Sequence, residues 1–414
     1  MQFSRRLFLR GAAATAAGAL GSCQYWPDQG FLNPCRAALP PRLANHELVR
    51  AAWEGVDPAQ MWDCHVHIAG VGDSGPGIWI NPQMRSLLHP LQFAQRRFYL
   101  NAGCAHDAPP GGVDKTYIER MRNLVDGMPP GAKLMLLAFE RFHDENGVPM
   151  PERTTFYVTD THALTVAREH ARQFEWVASI HPYRPDCVEA LEFAVKNNAR
   201  AVKWLPAAMG MDPASKRCDL FYAAMKRLNV PLITHAGQER AVQVDDRQPL
   251  GNPLRLRRAL EHGVRVVVAH CATMGRDNDL DRGANGPLVE SFELFARLMD
   301  EPAHGNNLYG ELSAVTQMNR AEPALAMIVQ RTHWHARLLN GSDYPLPGIM
   351  PLYSLSQLAR LKLLAPETVP VLTEIREYNA LLFDFVLKRH LRFDGKAFPR
   401  SVFETRRFFD TPRK

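Results

Sequence analysis

Long apolar runs are missing from this chain. Nothing approaches the ~20 consecutive residues that a membrane-spanning helix needs, so a multi-span membrane protein is disfavoured. Paired cysteines are missing as well: the 7 cysteines include no Cys-x-x-Cys and no zinc-ribbon spacing. No Gly-x-Gly-x-x-Gly follows the first apolar strand, which weakens the case for an open, doubly wound dinucleotide-binding sheet. A basic stripe is also absent. The net charge is +6, but Arg5, Arg6 and Arg10 lie in the first 22 residues, which carry no acid. Without them half the excess is gone, and no electrostatic case for nucleic acid remains.

What the N-terminus does carry reads as an export signal. Ser4-Arg5-Arg6-Leu7-Phe8-Leu9-Arg10 is similar to a twin-arginine signal, and an Ala/Gly segment too short to span a bilayer follows from Gly11 to Ala19. Leu20-Gly21-Ser22-Cys23 has the form of a lipoprotein cleavage box. These motifs predict a signal peptide over 1–22, a lipid anchor on Cys23 and a periplasmic location. The twin-arginine route exports folded proteins. Gln24, standing where a retention signal has Asp, leaves the outer membrane open as the anchoring surface. Pro27, Pro34, Pro40 and Pro41 make 23–44 read as a linker. A Cys35–Cys104 bridge is compatible with an oxidising compartment but is not fixed by the sequence. Cys64 and Cys271 are expected as buried free thiols.

With 414 residues and 46% hydrophobic content, the remainder can bury a sizeable core. Short apolar runs alternate with helical patterns, the rhythm of βα units. The predicted strands are 61–68, 134–139, 176–181, 201–205, 231–235, 264–270, 308–313 and 337–343. Helices are expected between them, including 161–173, 187–197, 218–228, 253–262, 288–300 and 323–331. Eight such strands point to an α/β fold, a (β/α)8 TIM-type barrel over 45–390, with the doubly wound sheet as the alternative. Residues 69–131, far longer than an ordinary connection, are read as a cap inserted after the first strand. Further helices are expected near 352–364 and 367–388, then a tail over 391–414.

Polar residues recur at the carboxyl ends of these strands. His65 and His67, two apart in Trp62-Asp63-Cys64-His65-Val66-His67, can face the barrel axis together. A His-x-His pair alone is weak evidence, since His333-Trp334-His335 repeats it on the opposite side of a barrel. Position raises its weight. His235, His270 and Asp343 each end a predicted strand, and Lys203 lies on another. Residues at the carboxyl ends of different barrel strands converge and read as catalytic, and imidazoles with a carboxylate suit a Zn²⁺-like ion. A strand lysine buried without a partner costs several kcal/mol. His181 and Glu311 are weaker candidates for the substrate pocket, as are Glu140 and Arg141. Arg96 and Arg97 lie in the cap, where an anion could be clamped, although a solvated helix face is the simpler reading. Trp204 should point outward into the core.

In order, Asp63–His67, Val202-Lys203-Trp204-Leu205-Pro206, Thr234-His235-Ala236-Gly237, Ala269-His270, Gly341-Ser342-Asp343-Tyr344-Pro345 and Asn379-Ala380 resemble the amidohydrolase superfamily of metal-dependent barrel enzymes. The likeness is to the amidohydrolase-related branch that also holds aminocarboxymuconate-semialdehyde decarboxylase-like proteins, and it spans nearly all of 60–390. It implies that His65, His67 and Asp343 bind a divalent metal, Zn²⁺ foremost. His235 would be a further ligand and His270 a ligand or catalytic base. Asp343 would also take a proton from the activated water. Lys203 would be carbamylated between two ions, or unmodified and turned to substrate beside one; one ion is favoured. The expected reaction is hydrolysis of a lactone, amide or ester. Non-oxidative decarboxylation of an unsaturated or aromatic carboxylic acid is the alternative, and a non-catalytic envelope lipoprotein a third reading.

Overall fold

The structure, a computed structural model, describes residues 28–244 and 246–411. The predicted signal peptide and Cys23 lie outside the described residues. Among the described residues no helix is long and apolar enough to cross a membrane.

Eight short strands carry the site: β1 Trp62–His67, β2 Lys133–Leu137, β3 Phe174–Val177, β4 Val202–Trp204, β5 Leu232–Thr234, β6 Val266–Val268, β7 Leu308–Glu311 and β8 Leu338–Leu339. Most are runs such as Val266-Val267-Val268 that are buried on both faces, as parallel strands under helices must be. β1 to β3 pair in sequence, and so do β4 to β8, all parallel. Two seams join these sheets. Ala178 bridges Val202, with Lys203 N–H donating to the Ala178 carbonyl at 2.7 Å. Val66 bridges Tyr344, with His67 N–H donating to the Tyr344 carbonyl at 2.8 Å and Asp343 N–H to the His65 carbonyl at 2.8 Å. The circle therefore closes into a (β/α)8 barrel.

Strand alternation sorts the side chains. Cys64, Met135, Leu137, Val177, Ala201, Ile233, Val267 and Leu339 pack together inside the barrel. Trp204 points outward, fully buried, with its ring 5.6 Å from that of Phe221. The inner cluster also takes in Trp62, Phe408 and Phe409. Residues 391–411 are thus not a loose tail, because their aromatics stopper the amino end of the barrel. Removing one ring leaves a hole the closed strands cannot collapse into. Phe409→Ala is expected to cost about 3–5 kcal/mol of unfolding free energy, read by urea denaturation, while metal binding at the opposite end is kept.

Residues 28–44, expected as a linker, are likewise tied down. Asn33 is buried and its N–H donates to Asn101 Oδ1 at 2.8 Å, and Cys35 is disulfide-bonded to Cys104. Pro41 opens a helix, Pro41–Ala44, rather than stiffening a tether. Residues 288–290, expected within a helix, pair antiparallel with Arg276–Asn278, and the helix begins at Ser291. The stretch 367–388 is two helices, Val369–Tyr378 and Ala380–His390. Asn379 breaks them: its Oδ1 accepts from Leu382 N–H at 2.9 Å and its Nδ2 donates to the Leu124 carbonyl at 2.7 Å.

The insertion after β1 carries the helices Pro90–Ala102 and Val113–Asp126. Tyr117 OH donates to the His67 carbonyl at 3.0 Å, and Tyr99 OH to the Ala241 carbonyl, beyond β5, at 2.6 Å. The insertion therefore lies across the carboxyl end of the barrel.

Candidate metal centre

β1 has a register irregularity between Asp63 and Val66. It lets Cys64 face the barrel core while His65 and His67 turn to the carboxyl end. There His65 Nε2 and His67 Nε2 lie 3.2 Å apart, and Asp343 Oδ1 is 3.4 Å from the first and 3.2 Å from the second. A tetrahedral ion with bonds of about 2.0–2.1 Å keeps its ligand atoms about 3.3–3.4 Å apart. The three atoms thus match one face of such a site without rearrangement. His270 Nε2 is 3.7 Å from Asp343 Oδ2, and ligand atoms of His65, His270 and Asp343 all lie within 4.8 Å of one another. Lys203 Nζ is 3.2 Å from His65 Nε2, and the His235 ring is 5.3 Å from that of His270. Residues spread from β1 to the end of β8 are gathered at one place.

Each buried imidazole is oriented through its other nitrogen. His65 Nδ1 is 2.9 Å from Glu311 Oε1, His270 Nδ1 is 3.0 Å from the Ser313 carbonyl, and His235 Nδ1 is 3.4 Å from Glu239 Oε2. These acceptors hold the proton on Nδ1 and leave Nε2 as a bare lone pair. His235 Nε2 is buried without a hydrogen-bond partner, as a waiting ligand atom would be. Burial lowers the pKa of His65 and His270, and that of His235 to about 4. All three are therefore neutral near pH 7, the state that binds metal. Burial would raise the Asp343 carboxyl, but His65, His67 and Lys203 bring it down to about 2. Glu311 is held well below the usual range by His65, His270 and Ser313 despite its burial.

The backbone is shaped for the same end. His270 and Asp343 sit in the left-handed region, at φ 55° and 61°, a strain that persists where the surroundings impose it. A Cβ on Gly341 would lie 2.7 Å from Glu311 Oε2 and 2.8 Å from His65 Cβ, so only glycine fits between them. Asp63, the first residue of the Asp-x-His-x-His run, accepts from Ser342 N–H at 2.8 Å and His65 N–H at 3.2 Å. It clamps the two metal-facing turns together. Beneath it, Lys388 Nζ donates to the Gly341 carbonyl and to Asp384 Oδ2, both at 2.6 Å.

Some expected residues are not brought here. His181 donates from Nε2 to the Met209 carbonyl at 3.1 Å and accepts Tyr183 N–H at Nδ1 at 3.1 Å. Fully buried and with both nitrogens spent, it shapes a loop. Glu311 reaches the cluster but, buried behind His65, it does not line a pocket. Glu140 is occupied by Arg184 Nη1 at 2.8 Å and by Arg141 N–H at 2.9 Å. Arg96 gives Nε to the Met84 carbonyl at 2.9 Å. His333 pairs with Asp300 at 3.2 Å, away from the cluster. The sequence reading missed Glu239, Ser313 and Arg320. The first two carried a signal, as Glu239 follows His235 by four residues and Ser313 follows Glu311 by two.

A closed barrel with histidines and an aspartate converging at its carboxyl end defines a class of metal-dependent barrel enzymes. The chain belongs to the amidohydrolase family, whose sequence model matches residues 62–380. That family depends on divalent metal, and His65, His270 and Asp343 form a candidate site for one. Comparison with curated proteins returned no match. Solved structures similar to this chain include an uncharacterised TIM-barrel protein from Bordetella bronchiseptica, at 16% identity and TM-score 0.44, covering 75% of this chain and 94% of that one. Another is 5-carboxyvanillate decarboxylase from Novosphingobium aromaticivorans complexed with manganese, at 12% identity and TM-score 0.45, covering 86% and 98%. A third is 4-oxalomesaconate hydratase from Rhodopseudomonas palustris, at 14% identity and TM-score 0.39, covering 78% and 96%.

Proposed function

We propose that this chain is a hydrolase that uses one divalent ion, Zn²⁺ foremost, to open a lactone, amide or ester. His65, His67 and Asp343 hold the ion, with His235 as a further ligand and His270 beside them. Bound there, the ion supplies a Lewis acid that lowers the pKa of water towards about 7 and polarises a carbonyl. Lys203, its Nζ 3.2 Å from His65 Nε2, stays a free amine turned to substrate beside one ion; carbamylated, it would serve a second ion together with His235 and His270.

The observation that supports hydrolysis over decarboxylation is that every possible ligand is kept and gathered, with Lys203 Nζ 3.2 Å from His65 Nε2 and the buried His235 Nε2 left without a partner. Asp343 and His270 stand beside that ligand set, where attack by water requires a proton acceptor. Asp343 is the base, and His270, with its free Nε2 3.7 Å away, receives or returns the proton.

The same reading covers location. The twin-arginine motif and the Cys23 box point to export and a lipid anchor, with the outer membrane as the open choice. The Cys35–Cys104 disulfide supports an oxidising compartment.

The test is metal analysis of the purified protein together with parallel screens for lactone, amide and ester hydrolysis and for carbon dioxide release. One equivalent of metal with hydrolysis is expected. Carbon dioxide without hydrolysis would assign the decarboxylase instead. A preparation that stays metal-free when zinc is added would assign the envelope scaffold.

A further inference from the structure

Arg320 lies in the loop that follows β7 and is 6% exposed. A guanidinium so deeply buried normally gives its N–H groups to carbonyls or carboxylates. Arg376 shows how this chain builds a structural one. It is 1% exposed, gives Nε to the Pro347 carbonyl at 2.7 Å, Nη1 to Gln29 Oε1 at 3.0 Å and Nη2 to the Ile349 carbonyl at 2.7 Å. Its guanidinium also lies over the Tyr353 and Phe383 rings. Arg320 has none of this. Its Nε and Nη1 are buried without an acceptor, and among the described residues its guanidinium forms no ion pair.

The lack of a partner is not for want of carboxylates, since Asp343, Glu239 and Glu311 all act electrostatically on Arg320. Each is engaged elsewhere. Glu311 accepts from His65 Nδ1, from His270 N–H at 2.9 Å and from Ser313 N–H at 2.7 Å. Glu239 accepts from Ala241 N–H at 2.6 Å and faces His235. Asp343 stands against the His65 and His67 pair. The charge of Arg320 is in turn felt at His235 and His270. Its neighbour Asn319 donates from Nδ2 to Met274 Sδ at 3.3 Å, and the Met274 carbonyl accepts Gln238 N–H at 2.8 Å, so the loop that carries Arg320 packs on the loops that follow His270 and His235, with the Nε and Nη1 hydrogen bonds of Arg320 unspent.

We propose that Arg320 anchors a carboxylate of the substrate while the cluster at Asp343 handles the group that reacts. This deepens the hydrolase reading and rests on it. The substrate class becomes a small organic acid whose lactone, amide or ester stands a few bonds from a free carboxylate. The pairing is between a guanidinium edge and a carboxylate, two parallel charge-assisted hydrogen bonds that an ammonium cannot reproduce. The cost of keeping a buried guanidinium unpaired is then offset only when an acid is bound, so the same residue supplies affinity and selects against uncharged analogues.

The proposal is tested by calorimetric titration of the purified full-length protein with glutarate, and with glutaramide as the uncharged control. Wild type, Arg320→Lys and Arg320→Gln are compared. Zinc stoichiometry and thermal unfolding of each variant are measured without any acid present. Glutarate is expected to bind wild type and glutaramide not. Affinity for glutarate should fall about tenfold in Arg320→Lys and beyond detection in Arg320→Gln, with zinc stoichiometry unchanged in Arg320→Lys. Equal affinity of wild type and Arg320→Gln, or no binding of glutarate to wild type, overturns the anchor. So does an unfolding temperature or zinc content that falls in Arg320→Lys, which would make Arg320 a structural residue. A protein that binds glutarate through Arg320 but takes up no zinc would instead remove the hydrolase reading and leave the anchor standing.

Discussion

Asp343→Asn is expected to lower turnover by about 10³-fold or more and to strip most of the bound metal, while the protein stays folded. The side chain keeps its shape but loses the charge on which the cluster depends. Asp343 Oδ1 stands within 3.4 Å of two imidazole Nε2 atoms, and a cation shared among the three stabilises that grouping. An amide offers one weaker acceptor, and its nitrogen presents a donor where a lone pair is needed. The same exchange removes the base, since an amide does not take up a proton near neutral pH. The backbone should tolerate it, because asparagine enters the left-handed region as readily as aspartate and φ at 343 is 61°. Loss of function without loss of fold is thus the signature, read from turnover, metal content and thermal unfolding measured side by side. Retention of turnover to within tenfold would remove Asp343 from the reaction.

The barrel was legible because most strands are short apolar runs buried on both faces, and because polar residues mark the carboxyl ends of several of them. What could not be read was where those strands stop. β6 ends at Val268 and β8 at Leu339, so His270 and Asp343 sit on left-handed turns beyond them. A hydrophobic pattern carries no signal for such backbone. Glu311 was visible as a carboxylate at the end of β7, but its facing His65 rather than substrate depends on the packing of β7 beside β8 and Gly341. The helical spacing of Leu288 with Phe292 and Phe295 also proved misleading. Leu288 is 53% exposed and belongs to a ribbon with Arg276–Asn278, a pairing partner that periodicity does not see. Residues 391–411 lack periodicity altogether, and yet Phe408 and Phe409 close the barrel. Arg320, in an irregular loop, had no signature in the chain. Its significance is the absence of a partner, which only the folded structure reveals.

Glu311→Gln should produce the second large effect, and for a different reason. Glu311 makes no contact with the reacting group; it holds the residues that would. His65 Nδ1, His270 N–H, Ser313 N–H and Ser313 Oγ all donate to it. A glutamine must turn its NH₂ towards one oxygen's donors, so at least one buried N–H faces another donor. That costs about 1–3 kcal/mol. With the charge gone, His65 is a poorer base at Nε2, and zinc affinity should fall about 10- to 100-fold. Chelator competition and chemical denaturation measure the two effects separately. The pH dependence supplies an independent check. Because the folded pKa of Glu311 lies well below its unfolded value, its contribution to stability is full above about pH 4.5 and is lost as the pH falls through the folded pKa. The stability gap between wild type and Glu311→Gln should therefore stay constant from pH 8 to about pH 5 and narrow only in stronger acid. A gap that instead closed between pH 7 and 6 would place the titrating partner on a histidine. Unchanged zinc affinity would mean that His65 does not need its carboxylate, and that the cluster is not oriented in the way its geometry requires.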